Sequence, residues 1–144
     1  MTGLSAEPLD LGPLVAHVND PEHGGVAAFL GCIRREAGIR EVVAIEYEAY
    51  EELTLRELAA VAGEAASRFG ATVAAVHRTG RVGVGEPSVA VACSAPHRPA
   101  AFAACRYVID ELKVRAPIWK RMIYAEGAAE WVDGRNLVHG ERPA

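Results

Sequence analysis

Residues 51–95 read EELTLRELAAVAGEAASRFGATVAAVHRTGRVGVGEPSVAVACSA, and their periodicity sets the class of the fold. From Glu51 to Phe69 the apolar side chains Leu55, Leu58, Ala59, Ala62, Ala66 and Phe69 recur at helical spacing. Acidic residues fill the first turn and Gly70 follows as a C-cap. Ala71–His77 and Ser88–Ala95 are short runs rich in valine and alanine, of strand length, separated by a glycine-rich stretch from Arg78 to Pro87. One amphipathic helix feeding two strands predicts a mixed helix and sheet layer.

Upstream, Asp10–His17 forms a short helix entered through Pro13, and the Gly24-Gly25 pair ends the following turn. Gly25–Ile33 is a continuous apolar strand. Glu41–Tyr50 alternates Val43, Ile45, Tyr47 and Ala49 against Val42, Ala44, Glu46 and Glu48. These two are expected to pair as neighbours across the polar connection Arg34–Arg40. Downstream, a second helix spans about Pro99–Arg115, with Phe102, Cys105, Ile109 and Leu112 on its apolar stripe. It must stop before Pro117, since the residue preceding a proline is pushed toward extended geometry, and Ile118–Tyr124 then forms a strand. The predicted class is α+β, a mixed and mostly antiparallel sheet with two main helices in one domain over 1–144, ending in a flexible tail from about 132.

The formal net charge is −4, which removes the surface-wide attraction of a nucleic-acid or anionic-membrane binder, so an anion must be held by a local cluster. No apolar stretch approaches the ~20 residues that cross a bilayer. Nor does the N-terminus carry the basic and apolar regions of a secretory signal, so the protein is expected in the cytoplasm. Cys32, Cys93 and Cys105 are odd in number and widely spaced. They read as small buried hydrophobes, neither a disulfide framework nor a zinc site, and no metal or other cofactor is called for.

Thirteen of the fifteen basic residues are arginine, and the two lysines, Lys113 and Lys120, fall within eight residues of each other. Lysine differs from arginine in being able to shed its proton, so chemistry is one reason for this placement; a helix C-terminus charged to suit the macrodipole is the other. Because the helix ends at Pro117, the lysines can converge from a helix end and the next strand. Ser94–Pro99 lies where a strand meets a helix N-terminus; its free N–H groups, with His97 and Arg98, suit an anion, although a proline-started helix after a solvated histidine has the same sequence. His77, Arg78, Arg81 and Arg106 have nothing evident to converge on and are assigned no catalytic role.

The stretch Leu112-Lys113-Val114-Arg115-Ala116-Pro117-Ile118-Trp119-Lys120, with Pro96-His97-Arg98 and Gly31-Cys32-Ile33-Arg34, resembles the signature of molybdopterin synthase large subunits, and the similarity runs from about Gly24 to Trp131. The resemblance implies an α/β hammerhead fold and a homodimer of large subunits within a heterotetramer. Each small, ubiquitin-like sulfur carrier inserts a C-terminal Gly-Gly thiocarboxylate into this chain. It further implies that Lys113 and Lys120 are catalytic, and that Arg34, His97 and Arg98 bind the substrate, cyclic pyranopterin monophosphate, in part across the dimer. A phosphate suits the fork geometry of arginine, and loss of its cyclic ester during sulfur attack suits a lysine that moves protons. Two other readings use the same residues: a non-enzymatic module binding a phosphometabolite or nucleotide through Arg34, His97 and Arg98, and a sulfurtransferase carrying persulfide on Cys32.

Overall fold

A computed structural model describes residues 1–133 of the 144. In chain order the elements are β1 (Thr2–Ser5), α1 (Leu11–Val18), β2 (Gly25–Cys32), β3 (Glu36–Ala37), β4 (Arg40–Ala49), α2 (Glu51–Phe69), β5 (Thr72–Arg78), β6 (Gly80–Gly83), β7 (Pro87–Ala95), α3 (Arg98–Arg115), β8 (Ile118–Tyr124) and β9 (Ala129–Asp133). The chain folds into two sheets. The first has the order β1-β5-β7-β2, antiparallel except for the parallel pair β1 and β5; the second runs β3-β4-β8-β9, with β6 also paired to β4.

The α+β class is observed, mostly antiparallel with α2 and α3 as the main helices. The expected pairing of the two early strands is not. β2 lies antiparallel to β7, Gly25 opposite Ala95, while β4 pairs with β8 and β6 in the other sheet. The polar Arg34–Arg40 connection is long enough to carry the chain from one sheet to the other, so nearness in sequence does not decide the partner. β1, β6 and β9 were not expected as strands: β6 lies within the glycine-rich stretch after β5, and β9 takes in Val132 and Asp133 of the expected tail. The rest of that tail, 134–144, lies outside the described residues.

α2 buries Thr54, Leu58, Val61 and Ala65 on one stripe, one position off the expected line, which leaves Leu55 37% exposed. Gly70 closes the helix in the left-handed region, φ 60°, its N–H bonded to the Ala66 carbonyl, a conformation glycine adopts without steric cost. α3 buries Ala101, Ala104, Cys105, Val108 and Leu112, whereas Phe102, expected in the core, is 65% exposed. Both helices cover one face of the first sheet over Val73, Ala75, Val89, Val91 and Cys93, and α1 covers the opposite face over Ala74, Ala90 and Ala92. The face under α1 is thus alanine, so that layer packs close, whereas valine predominates under α2 and α3.

The second sheet has its own core of Ile33, Val42, Ile45, Tyr47, Val82 and Ile118. The register between β4 and β8 shifts between Val42 and Ala44, an irregularity of the bulge type that breaks strict alternation. Val42 before it shares the core face with Ile45 and Tyr47 after it, and Val43 is left 39% exposed against expectation. This change of parity turns Tyr47 toward the seam between the sheets.

Candidate active site

α3 stops where the sequence requires: Ala116 is extended, with ψ 124°, before Pro117, and β8 begins at Ile118. Lys113 in the last turn of α3 and Lys120 in β8, opposite Tyr47 of β4, therefore face the same seam. A small cavity of about 30 Å³ is lined by both lysines, Tyr47 and His77 over an apolar floor that includes Val89 and Ile118. It continues outward into a groove of about 190 Å³ that adds Cys32, Arg34 and Ser88, and then into one of about 360 Å³ where Arg34, Lys120 and Met122 recur beside Tyr124. One continuous cleft thus passes three cations from floor to mouth.

Burial is the main reason that the Lys120 amine is pulled down from 10.5 to about 8, and the charges of Lys113 and Arg34 act in the same direction. Lys113, exposed as a whole residue but lining the cavity, is lowered by desolvation as well. His77, almost fully buried, falls to about 4 through burial, assisted by the two lysines against the opposing hydrogen bond to the Arg78 carbonyl. Tyr47 is raised by burial, partly offset by its hydrogen bond with Ser88. Near neutral pH the cleft therefore contains an amine close to its titration point, a neutral imidazole and a neutral phenol.

Arg34 stands at the cleft mouth in the connection between β2 and β3, just before the short β3–β4 hairpin. Arg40 anchors that hairpin, its guanidinium carbon 3.4 Å from the Tyr124 ring centroid and its nitrogens 2.6 Å from Glu126 and 3.6 Å from Glu130. Of the five residues singled out from sequence, Arg34, Lys113 and Lys120 come together. His97 and Arg98 do not. Both are exposed at the N-terminus of α3, and fifteen helical steps of 1.5 Å place Arg98 about 22 Å from Lys113. Their backbone is fixed against the start of β2: Gly24 donates to the Pro96 carbonyl at 3.1 Å, and a Cβ on Gly25 would lie 3.0 Å from both Cα and N of Arg98. Beside them His23 Nδ1 donates to Ser94 Oγ at 2.7 Å, and that hydroxyl donates to the Val18 carbonyl.

His77 and Tyr47 were missed as cleft residues. Each occupies an inward position of an alternating strand, a signal compatible with ordinary core, and their convergence depends on the two sheets meeting. Arg78, set aside as structural, is indeed buried and paired with Glu86 at 2.7 Å. Cys93 and Cys105 are buried as expected, but Cys32 is exposed at the groove, because its strand lies at the edge of the first sheet. Among the described residues no group of three or more His, Cys, Asp or Glu could hold a metal ion, and no helix is long and apolar enough to cross a membrane.

A half-buried amine with a second amine and an arginine beside it, in a cleft between two sheets, is an arrangement chemically able to exchange a proton and to attract an anion. A family model described as MoaE protein matches residues 4–115. Two molybdopterin synthase catalytic subunits are similar across most of the chain. The one from Nostoc sp. PCC 7120 is 42% identical over 87% of this chain and 77% of its own, and the one from Thermoplasma volcanium 40% identical over 91% and 94%. The crystal structure of molybdopterin synthase from Staphylococcus aureus superposes with a TM-score of 0.85 at 29% identity, covering 90% of this chain and 94% of that one. The chain belongs to the MoaE family.

Proposed function

We propose that the chain is the catalytic subunit of a cytoplasmic molybdopterin synthase. It takes sulfur from the C-terminal thiocarboxylate of a small ubiquitin-like carrier and places it on cyclic pyranopterin monophosphate, forming the dithiolene of molybdopterin in two transfers. The carrying observation is the convergence of Lys113 and Lys120, across a helix-ending proline, in a cleft that leads from Arg34 at its mouth to a narrow inner end. The outer groove suits a slender glycine tail and a pterin, and the cations suit the substrate phosphate.

With the Lys120 amine near 8, about a tenth of it is neutral at pH 7, against about one in three thousand for an ordinary lysine. It therefore serves as the acid and base that shuttles protons as sulfur attacks a side-chain carbon of the pterin and the cyclic phosphate ester opens. Water then releases the carrier tail as a carboxylate, leaving sulfur on the substrate. Lys113 keeps a cation beside Lys120 and holds the tail or the intermediate. His97 and Arg98 serve the substrate from the second copy of a homodimer, since in their own chain they lie at the far end of α3. A single domain carries this large-subunit chemistry.

The test mixes the purified chain with a thiocarboxylated carrier and the cyclic pterin and measures molybdopterin. Lys120→Arg, which keeps the charge and removes the accessible amine, loses about 100-fold or more in turnover. Cys32→Ala retains it. Wild-type turnover by Lys120→Arg removes Lys120 as the acid and base, an inert wild-type mixture with competent partners leaves the reading of a phosphometabolite-binding module, and loss of turnover in Cys32→Ala leaves that of a persulfide carrier.

A further inference from the structure

His77 is a buried, titratable side chain in the cleft to which the sulfur-transfer reading gives no task. Its ring is fixed from two sides. Nδ1 donates to the Arg78 carbonyl at 2.7 Å, and the ring meets Tyr47 edge-on with centroids 5.0 Å apart. A carbonyl can only accept, so Nδ1 carries the hydrogen and Nε2 is the lone-pair nitrogen. Among the described residues Nε2 has no hydrogen-bond partner, and the ring lines the same small cavity as Lys113 and Lys120.

An ammonium has three donors and no acceptor, and burying one without an acceptor is costly. The other side chains around the cavity are Val89, Ile109, Leu112, Ala116 and Ile118, which offer none, and the hydroxyl of Tyr47 has its hydrogen committed to Ser88, whose own goes to the Gly31 carbonyl, leaving the phenol oxygen as a weak acceptor. His77 Nε2 is the more basic of these two side-chain acceptors at the inner end of the cleft. The cavity, about 30 Å³, has room for one or two waters.

We propose that His77 is a positioning residue for the lysine pair: its Nε2 accepts a hydrogen bond from the Lys113 amine, directly or through one water in this cavity, and so fixes that amine facing Lys120. Because burial keeps the imidazole neutral, it does not become a third cation in the pocket. The proposal rests on the sulfur-transfer reading for its kinetic consequence and on the geometry alone for the hydrogen bond.

Two substitutions separate the ring's two nitrogens. His77→Asn retains a donor where Nδ1 reaches Arg78 and loses the reach of Nε2; His77→Gln retains an acceptor near Nε2. Loss of positioning lowers kcat about tenfold in His77→Asn. KM stays within about twofold, and His77→Gln recovers most of kcat. Full kcat in His77→Asn with impairment of His77→Gln overturns the proposal in favour of a structural role through Arg78. Nitrogen-15 NMR of the imidazole provides an arm that needs neither substitution at 77 nor turnover. Lys113→Met should move the Nε2 resonance toward that of a free lone pair while Nδ1 stays in place, and an unmoved Nε2 overturns the proposal whatever the kinetics. Absence of wild-type turnover with verified partners would count instead against the sulfur-transfer reading.

Discussion

Replacing Lys120 by methionine should make the protein more stable and inactive, with the gain in stability depending on pH. Methionine has a similar length and no charge, so it leaves the cleft filled while removing the ammonium that the fold disfavours. The displacement of the amine from 10.5 to about 8 corresponds to about 3 kcal/mol at 1.36 kcal/mol per tenfold change. Because solvent reaches the amine through the cleft, screening reduces this to about 1–2 kcal/mol. The folded pKa lies below the unfolded one, so the folded state binds fewer protons and wild-type stability rises with pH between the two values. Below about 8 the lysine is charged in both states and the full penalty applies; above 10.5 it is neutral in both and the penalty is gone. The expected result is a Tm for Lys120→Met about 3–6 °C above wild type at pH 6.5, shrinking toward zero by pH 10.5, followed by calorimetry or circular dichroism. A variant less stable than wild type at pH 6.5, or a difference indifferent to pH, would refute the argument that burial strains this amine.

If His97 and Arg98 serve the cleft of a second copy, each mixed dimer of a Lys120→Arg chain with a His97→Ala/Arg98→Ala chain regains one intact site, about a quarter of wild-type activity over a statistical mixture, although each homodimer is inactive; no recovery on mixing would place both sets in one chain's site. Leu58→Ala removes a fully buried side chain where α2 meets the first sheet and should cost about 2–5 kcal/mol in urea unfolding, with turnover retained in the folded fraction at low temperature.

The helices were legible because their signals are local: Glu51–Phe69 coincides with the expected range, and α3 differs from expectation by one residue at its start. The strands β5, β7 and β8 were legible for the same reason. Pairing was not, since strand partners depend on how the chain folds back on itself: β2 and β4 are neighbours in sequence and belong to different sheets. The irregularity in β4 likewise defeats simple alternation and puts Val43 outside the core face of Ile45 and Tyr47. At the site, the seven-residue interval between the lysines, interrupted by a proline, was enough to suggest convergence. The part played by His77 was hidden, because the sequence places it thirty-six residues from Lys113 and only the meeting of the two sheets closes that gap.

The alanines at 74, 90 and 92, all fully buried, let single methyl groups set how closely α1 approaches the first sheet. Side chains of such minimal reach leave no freedom to reshuffle volume: an added methylene on that face must push α1 outward. On the opposite face Ala75 lies among the valines beneath α2 and α3, and a larger side chain there would press on the layer that carries Lys113. The position of that amine therefore depends in part on one methyl group in the next strand layer.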